Sequence, residues 1–143
     1  MKSIISLILL LGLVNLITTG CATPPVPYNM KPKELKTENY FYKTWTLNKS
    51  IKEVQKQLSV YGENCGPHFS ITADPLDPKK AKKQITLAGL TDTATVFIME
   101  FSENENGSTT VNSWSNNSII FKKTHADKMI QAIEDPYKCV GSF

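Results

Sequence analysis

The chain has 143 residues, enough for one domain, and carries 16 basic against 13 acidic side chains, a formal net charge of +3. So weak a balance is no argument for nucleic-acid binding, and no nucleic-acid partner is expected. Every basic residue is lysine, and the lack of arginine weighs against planar, bidentate recognition of phosphate or carboxylate. The abundance of Lys, Asn and Ile also fits a plain AT-rich coding bias.

The first stretch reads as an address. Met1 and Lys2 place positive charge at the start, and Ile4 to Val14 run apolar apart from Ser6. A basic start followed by an apolar run of this length is a secretory signal, too short to span a bilayer, which takes about 20 apolar residues. The run ends Thr18-Thr19-Gly20-Cys21-Ala22, which resembles the lipobox of bacterial lipoproteins. That resemblance covers residues 1–22. It implies cleavage after Gly20 and a diacylglyceryl thioether on Cys21, usually with a third acyl chain on the new amino group. Thr18 stands where the family usually has Leu. Alternatives are an ordinary secretory signal with an unlipidated cysteine, and an uncleaved anchor. Ala22, where Asp often marks inner-membrane retention in Gram-negative members, implies the outer membrane in such a host. Two or more acyl chains hold a protein firmly in a bilayer, whereas one gives marginal binding.

If Cys21 takes lipid, Cys65 and Cys139 remain, an even pair in an oxidising compartment, and they are expected to form a disulfide. Two buried thiols are the alternative. Cys65 and His68 stand far from His125 and Cys139, without zinc-finger spacing, so no metal site is expected. Removing Lys2 with the leader lowers the charge of the mature chain to +2.

From Ala22 to Thr37 the chain reads as a tether. Pro24, Pro25, Pro27 and Pro32 favour extended backbone, which at about 3.1 Å per residue reaches roughly 50 Å from the lipid. Part of it packing on the domain is the alternative, through Tyr28 and Met30. A single domain over 38–143 follows. Tyr40 to Leu47 reads as a strand. Ser50 and Glu53 form a capping box, and Ile51, Val54, Leu58 and Tyr61 follow as one helix face ending at Gly62. Phe69 to Ala73 alternates as a strand until Asp74-Pro75 and Asp77-Pro78 break it. Gln84 to Leu90 and Thr93 to Ser102 are further strands. Glu103 to Gly107 is a turn with the hairpin pair Asn106-Gly107, and Thr109 to Trp114 returns. Ser118 to Phe121 extends that strand or forms another. A last helix runs from Thr124, with Ala126, Met129, Ile130 and Ile133 as its apolar stripe, and stops at Asp135-Pro136.

The fold class is therefore α+β: an antiparallel sheet of four to five strands with two helices packed on one face, in the order β-α-β-β-β-β-α. At the level of topology only, this resembles the TBP-like or helix-grip folds, which host many functions. Cys65 and Cys139 follow the two helices, whose ends meet if both pack on one face in similar directions.

Functional candidates are few. Along Thr93 to Ser102, Ala94, Val96 and Ile98 alternate with Phe97, Met99 and Phe101, so both faces are apolar. A sheet covered on one side normally shows a polar opposite face. A second apolar face implies a cover: a partner, a lipid-like ligand or the tether. Phe97, Met99 and Phe101 are thus candidates for a face that meets an envelope protein or a hydrophobic ligand; curling of the sheet, or cover from the C-terminal segment, is the alternative. Lys79, Lys80, Lys82 and Lys83 are candidates for contact with an anionic surface, or a solvated guard on a sheet edge. Glu100 reads as a water-facing strand residue, His68 and His125 as surface or packing residues, and Trp45 and Trp114 as sheet packing. There is no G-x-S-x-G, no H-E-x-x-H and no glycine-rich phosphate loop, so no catalytic residue and no cofactor is expected. The sequence points to a non-enzymatic lipoprotein, attached to the membrane through its lipid anchor, with a binding or scaffolding role in the cell envelope. An accessory subunit of an outer-membrane or secretion complex is the second reading, and a small envelope hydrolase the third.

Overall fold

The capping box of the main helix forms as its residue types require. In the computed structural model, which describes residues 30–66, 69–88, 93–117 and 122–141, the Glu53 amide donates to Ser50 Oγ at 3.3 Å. In return the Ser50 amide donates to Glu53 Oε2 at 2.8 Å. Among the described residues the α-helices and strands are, in chain order, α1 (Pro32–Leu35), β1 (Phe41–Leu47), α2 (Ile51–Cys65), β2 (Thr72–Ala73), β3 (Lys80–Ala88), β4 (Thr93–Glu103), β5 (Thr109–Ser115) and α3 (Thr124–Glu134), with a 3-10 turn at Glu38–Tyr40 between α1 and β1.

Five strands form one antiparallel sheet in the order β1-β5-β4-β3-β2. The tight hairpin joins β4 to β5, where Gly107 takes a φ of +79° that an L side chain would strain. α2 and α3 cover one face, here called inner. Val54, Leu58 and Tyr61 of α2 and Met129 and Ile133 of α3 pack there against Phe97, Met99, Phe101 and Val111. The α+β class, with an antiparallel sheet and two helices on one face, is the architecture that the periodicities imply. α2 runs one turn beyond Gly62, which is buried within the helix; the terminating residue is Gly66, at φ +88°. β2 is only two residues long, shorter than the strand expected over Phe69 to Ala73, although Phe69 and Ile71 still pack on the core. Residues 118–121 lie outside the described residues, as do Tyr28 and the signal segment.

The two helices end side by side. Cys65 and Cys139 form a disulfide with a Cα–Cα separation of 5.3 Å, within the range the bond requires. Next to it the Val140 amide donates to the Tyr61 hydroxyl at 3.2 Å, fastening the C-terminal segment to α2.

β4 departs from simple alternation. Its register against β3 shifts between Ile85, opposite Phe97, and Thr86, opposite Thr95, so Val96 is an extra residue in the ladder. This bulge turns Val96 to the inner face beside Phe97, and Ala94 joins the same core. Of the residues expected to share a second apolar face with Ala94 and Val96, only Ile98 lies there.

Residues 30–37, read from sequence as tether, belong to the folded unit. Met30 and Leu35 are 3% and 0% exposed and pack on Ile98 from the outer face, with Tyr40 and Trp114 beside them. Pro32 occupies the first turn of α1, where its missing N–H costs nothing. Burying two such side chains contributes roughly 1.5–3 kcal/mol each. The apolar outer spot that β4 would otherwise show is thus closed by the chain's own N-terminal segment.

Candidate functional site

The outer face is polar except where α1 lies. Strand registry sets Thr44 of β1 against Asn112 of β5 and Glu100 of β4 against Lys82 of β3. The Thr44 hydroxyl and the Asn112 amide group meet at 2.6 Å. At the other end, Phe41 and Trp114 pack edge to face with ring centroids 5.9 Å apart.

Among the described residues, two neighbouring concave regions lie on this face. A groove of about 320 Å³ runs between α1 and β3, lined by Pro32, Lys33, Lys36, Lys82, Gln84, Ile98 and Glu100. A second cleft of about 440 Å³ lies where β2 folds over β3 and β4, with Asp74, Lys80 and Ser102 on its wall. The two share Lys82 and Glu100. Lys36 Nζ bonds Glu100 Oε1 at 2.7 Å and stands 5.9 Å from the Trp114 ring centre, so this pair links α1 to the sheet. Three lysines against one carboxylate leave the groove net positive.

The sequence candidates fall unevenly around these features. Phe97, Met99 and Phe101 are 2%, 0% and 1% exposed beneath α2 and α3. They form the floor of the core, and a partner has no access to them in the folded domain. The lysine run is split. Lys79 ends the β2–β3 turn, Lys80 opens β3 and pairs with Asp77 at 3.0 Å, and Lys82 points into both concavities. Lys83 sits opposite Met99 and turns toward the helix side. The short Lys80–Asp77 contact raises the lysine pKa and lowers that of Asp77, whose carboxylate also accepts from the Lys79 amide. Glu100 lies on the outer face, half-buried. His125 sits in the first turn of α3, where Nδ1 lies 2.9 Å from the Lys122 amide. His68 is outside the described residues. Trp45 packs against the core and Trp114 against the Met30–Leu35 spot.

A second polar cluster joins β1 to α3. The register of β1 shifts between Phe41 and Lys43, which directs both Tyr42 and Lys43 toward the helix layer. The Tyr42 hydroxyl donates to Asp127 Oδ2, and Lys43 Nζ lies 3.8 Å from Asp127 Oδ1. This hydrogen bond, then burial and the charge of Asp127, raise the Tyr42 pKa.

The groove does not show in the sequence, because its near wall, Lys33 and Lys36, lies in the proline-containing stretch that reads as a tether. The signal was present: Pro32 followed by Lys-Glu-Leu is a helix start with proline in the first turn. Among the described residues, no three His, Cys, Asp or Glu side chains gather as a metal site, and no helix is long and apolar enough to cross a membrane.

Fold and surface together define an α+β domain with helices on one face of an antiparallel sheet and a short basic groove on the other. Comparison with known proteins found no matching family model and no matching curated relative.

Proposed function

We propose that this chain is a non-enzymatic lipoprotein of the cell envelope, acylated at Cys21, whose domain faces the periplasm from the outer membrane and binds or scaffolds an envelope component. The observation that carries this is the use of the cysteines. Cys65 and Cys139 are joined, so Cys21 is the one cysteine left for lipid. A disulfide bond also fits an exported protein. The apolar leader and the Thr19-Gly20-Cys21 junction supply the processing signal. Packing of Met30 and Leu35 on the sheet adds to this, because the folded unit then begins within nine residues of Cys21.

Intact mass spectrometry of protein extracted from membranes tests the proposal. The expected species begins at Cys21 and carries the added mass of its acyl chains. Cys21→Ser should leave the leader uncleaved, and fractionation should place the wild-type protein with the outer membrane. An unmodified Cys21 thiol, or a retained leader on the wild-type protein, overturns the assignment.

A further inference from the structure

We propose that the groove between α1 and β3 seats the phosphate of an anionic phospholipid headgroup, drawn from the leaflet in which Cys21 is anchored; the choice of leaflet rests on the reading of Cys21 as lipid-bearing. Charge is the first argument. The groove carries Lys33, Lys36 and Lys82 against Glu100 alone. Lys36 is committed to Glu100, and among the described residues neither Lys33 nor Lys82 enters an ion pair. Three lysines less one glutamate leave the lining of this concavity with a net charge of +2. Gln84, whose amide donates to the Thr86 hydroxyl at 3.3 Å, lines the groove, and Ile98, 2% exposed, closes the floor. Lysine acts on phosphate as a point charge and does not need the planar fork of arginine.

Chain length is the second argument. Met30 is pinned to the outer face two residues before α1, which is the groove's near wall. Nine residue steps separate it from Cys21, a span of at most about 32 Å when fully extended. An acylated Cys21 therefore keeps Met30 within about 32 Å of a phospholipid surface, which raises the effective headgroup concentration at the groove. The adjoining cleft extends the same side, and the loop on its rim carries Leu76, 93% exposed, followed by Lys79 and Lys80. Asp74 and Asp77 offset the two lysines of this loop, so what it offers a leaflet interface is the apolar Leu76 and no net positive charge. In this orientation α2 and α3 face away from the bilayer.

The test uses the full acylated protein reconstituted into vesicles of phosphatidylcholine alone or mixed with phosphatidylglycerol. Acetylation rates are read lysine by lysine by mass spectrometry, with Lys52 and Lys56, exposed on α2, as internal references. Lys33 and Lys82 should react about fivefold more slowly in the anionic vesicles, the effect of one lysine held at such a surface. Roughly 0.5 M salt should remove the difference. In Lys33→Gln the lipid-dependent protection of Lys82 should fall, and in Lys82→Gln that of Lys33. Equal rates in both vesicles, or equal slowing at Lys52 and Lys56, overturn the proposal. So does the same protection in detergent with inorganic phosphate alone, which assigns the groove to a soluble ion. Flotation with phosphatidylcholine vesicles reports the acyl anchor separately. Protein that fails to float there sinks the Cys21 reading, and the groove is then judged by the same lysine rates on full chain added to preformed anionic vesicles.

Discussion

The Thr95 amide donates to the Met30 carbonyl at 2.8 Å, strapping the chain that leads from Cys21 to the end of β4. This bond falls beyond the last rung between β4 and β5, where Phe97 faces Ser115. Met30 thus satisfies a backbone donor that β5 has left behind, and Leu35 seals Ile98 from the same side. Leu35 is fully buried, so Leu35→Ala should destabilise the domain by about 2–4 kcal/mol, read as a lower urea midpoint. If residues 30–37 were a loose tether, the midpoint would not move.

Met99 sits at the centre of the inner face with no exposure. Met99→Ala should cost about 2–4 kcal/mol. Met99→Lys should abolish cooperative unfolding, because it buries an ammonium among the apolar side chains of the core. A stably folded Met99→Lys protein, shown by a two-state melt, would return this residue to the surface.

What was legible in the sequence follows from which signals are local. The Ser50–Glu53 box, the stripe from Ile51 to Tyr61 and the Asn106-Gly107 turn each specify structure within a few residues, and each appears where its spacing puts it. The β4 faces were only half legible, because strict alternation has no way to register the extra residue at Val96. The lysine run hid the start of β3: Ala81 is its only apolar residue, and the buried Ala81 with outward Lys80 and Lys82 is a strand pattern too short to stand out. The groove was not legible at all. It forms only when Lys33 and Lys36, far upstream, are laid against Lys82 and Glu100 by long-range packing.

The disulfide joins residues 74 apart, and Cys139 is exposed to reductant. Closing a loop of this length restricts the unfolded chain by about 4 kcal/mol in the entropy model. Cys65→Ser/Cys139→Ser, or thiol treatment of the wild type, should lower stability by about that amount. The lost constraint acts mainly on the unfolded state, so the midpoint should drop with little change in near-ultraviolet circular dichroism of the remaining folded fraction. An unchanged midpoint after proven reduction would show the bond to be incidental.

Tyr42 gives the domain an alkaline limb. Its hydroxyl donates to Asp127, so the neutral phenol is favoured in the folded protein and its pKa lies above the usual value. A group whose pKa rises on folding contributes its full stabilisation below the unfolded pKa, about 10 for tyrosine, and loses it as pH climbs through the folded value. Stability should therefore decline in that alkaline window for the wild type. In Tyr42→Phe this part of the decline should be absent and the neutral-pH stability lower, by about 1 kcal/mol for one lost hydrogen bond. Matching alkaline slopes in denaturation series of the two proteins would reject the assignment.

The acid limb has its own device in the cap of α2. The Ser50 amide and hydroxyl both hydrogen-bond the Glu53 carboxylate, which holds its pKa below the usual range. The sign is opposite to that of Tyr42. Stabilisation from a lowered carboxylate pKa is present above the unfolded value and is lost as pH falls through the folded one. Glu53→Gln keeps an oxygen acceptor for the Ser50 amide but cannot titrate, so the acid decline in stability should be shallower than in the wild type. Ser50→Ala removes the hydroxyl that accepts from the Glu53 amide and should cost about 1 kcal/mol at neutral pH. Combining the two changes separates the halves of the box: if they act as one unit, the double variant loses less than the two single losses added together. Strict additivity in urea unfolding at neutral pH would mean that Ser50 and Glu53 cap α2 independently.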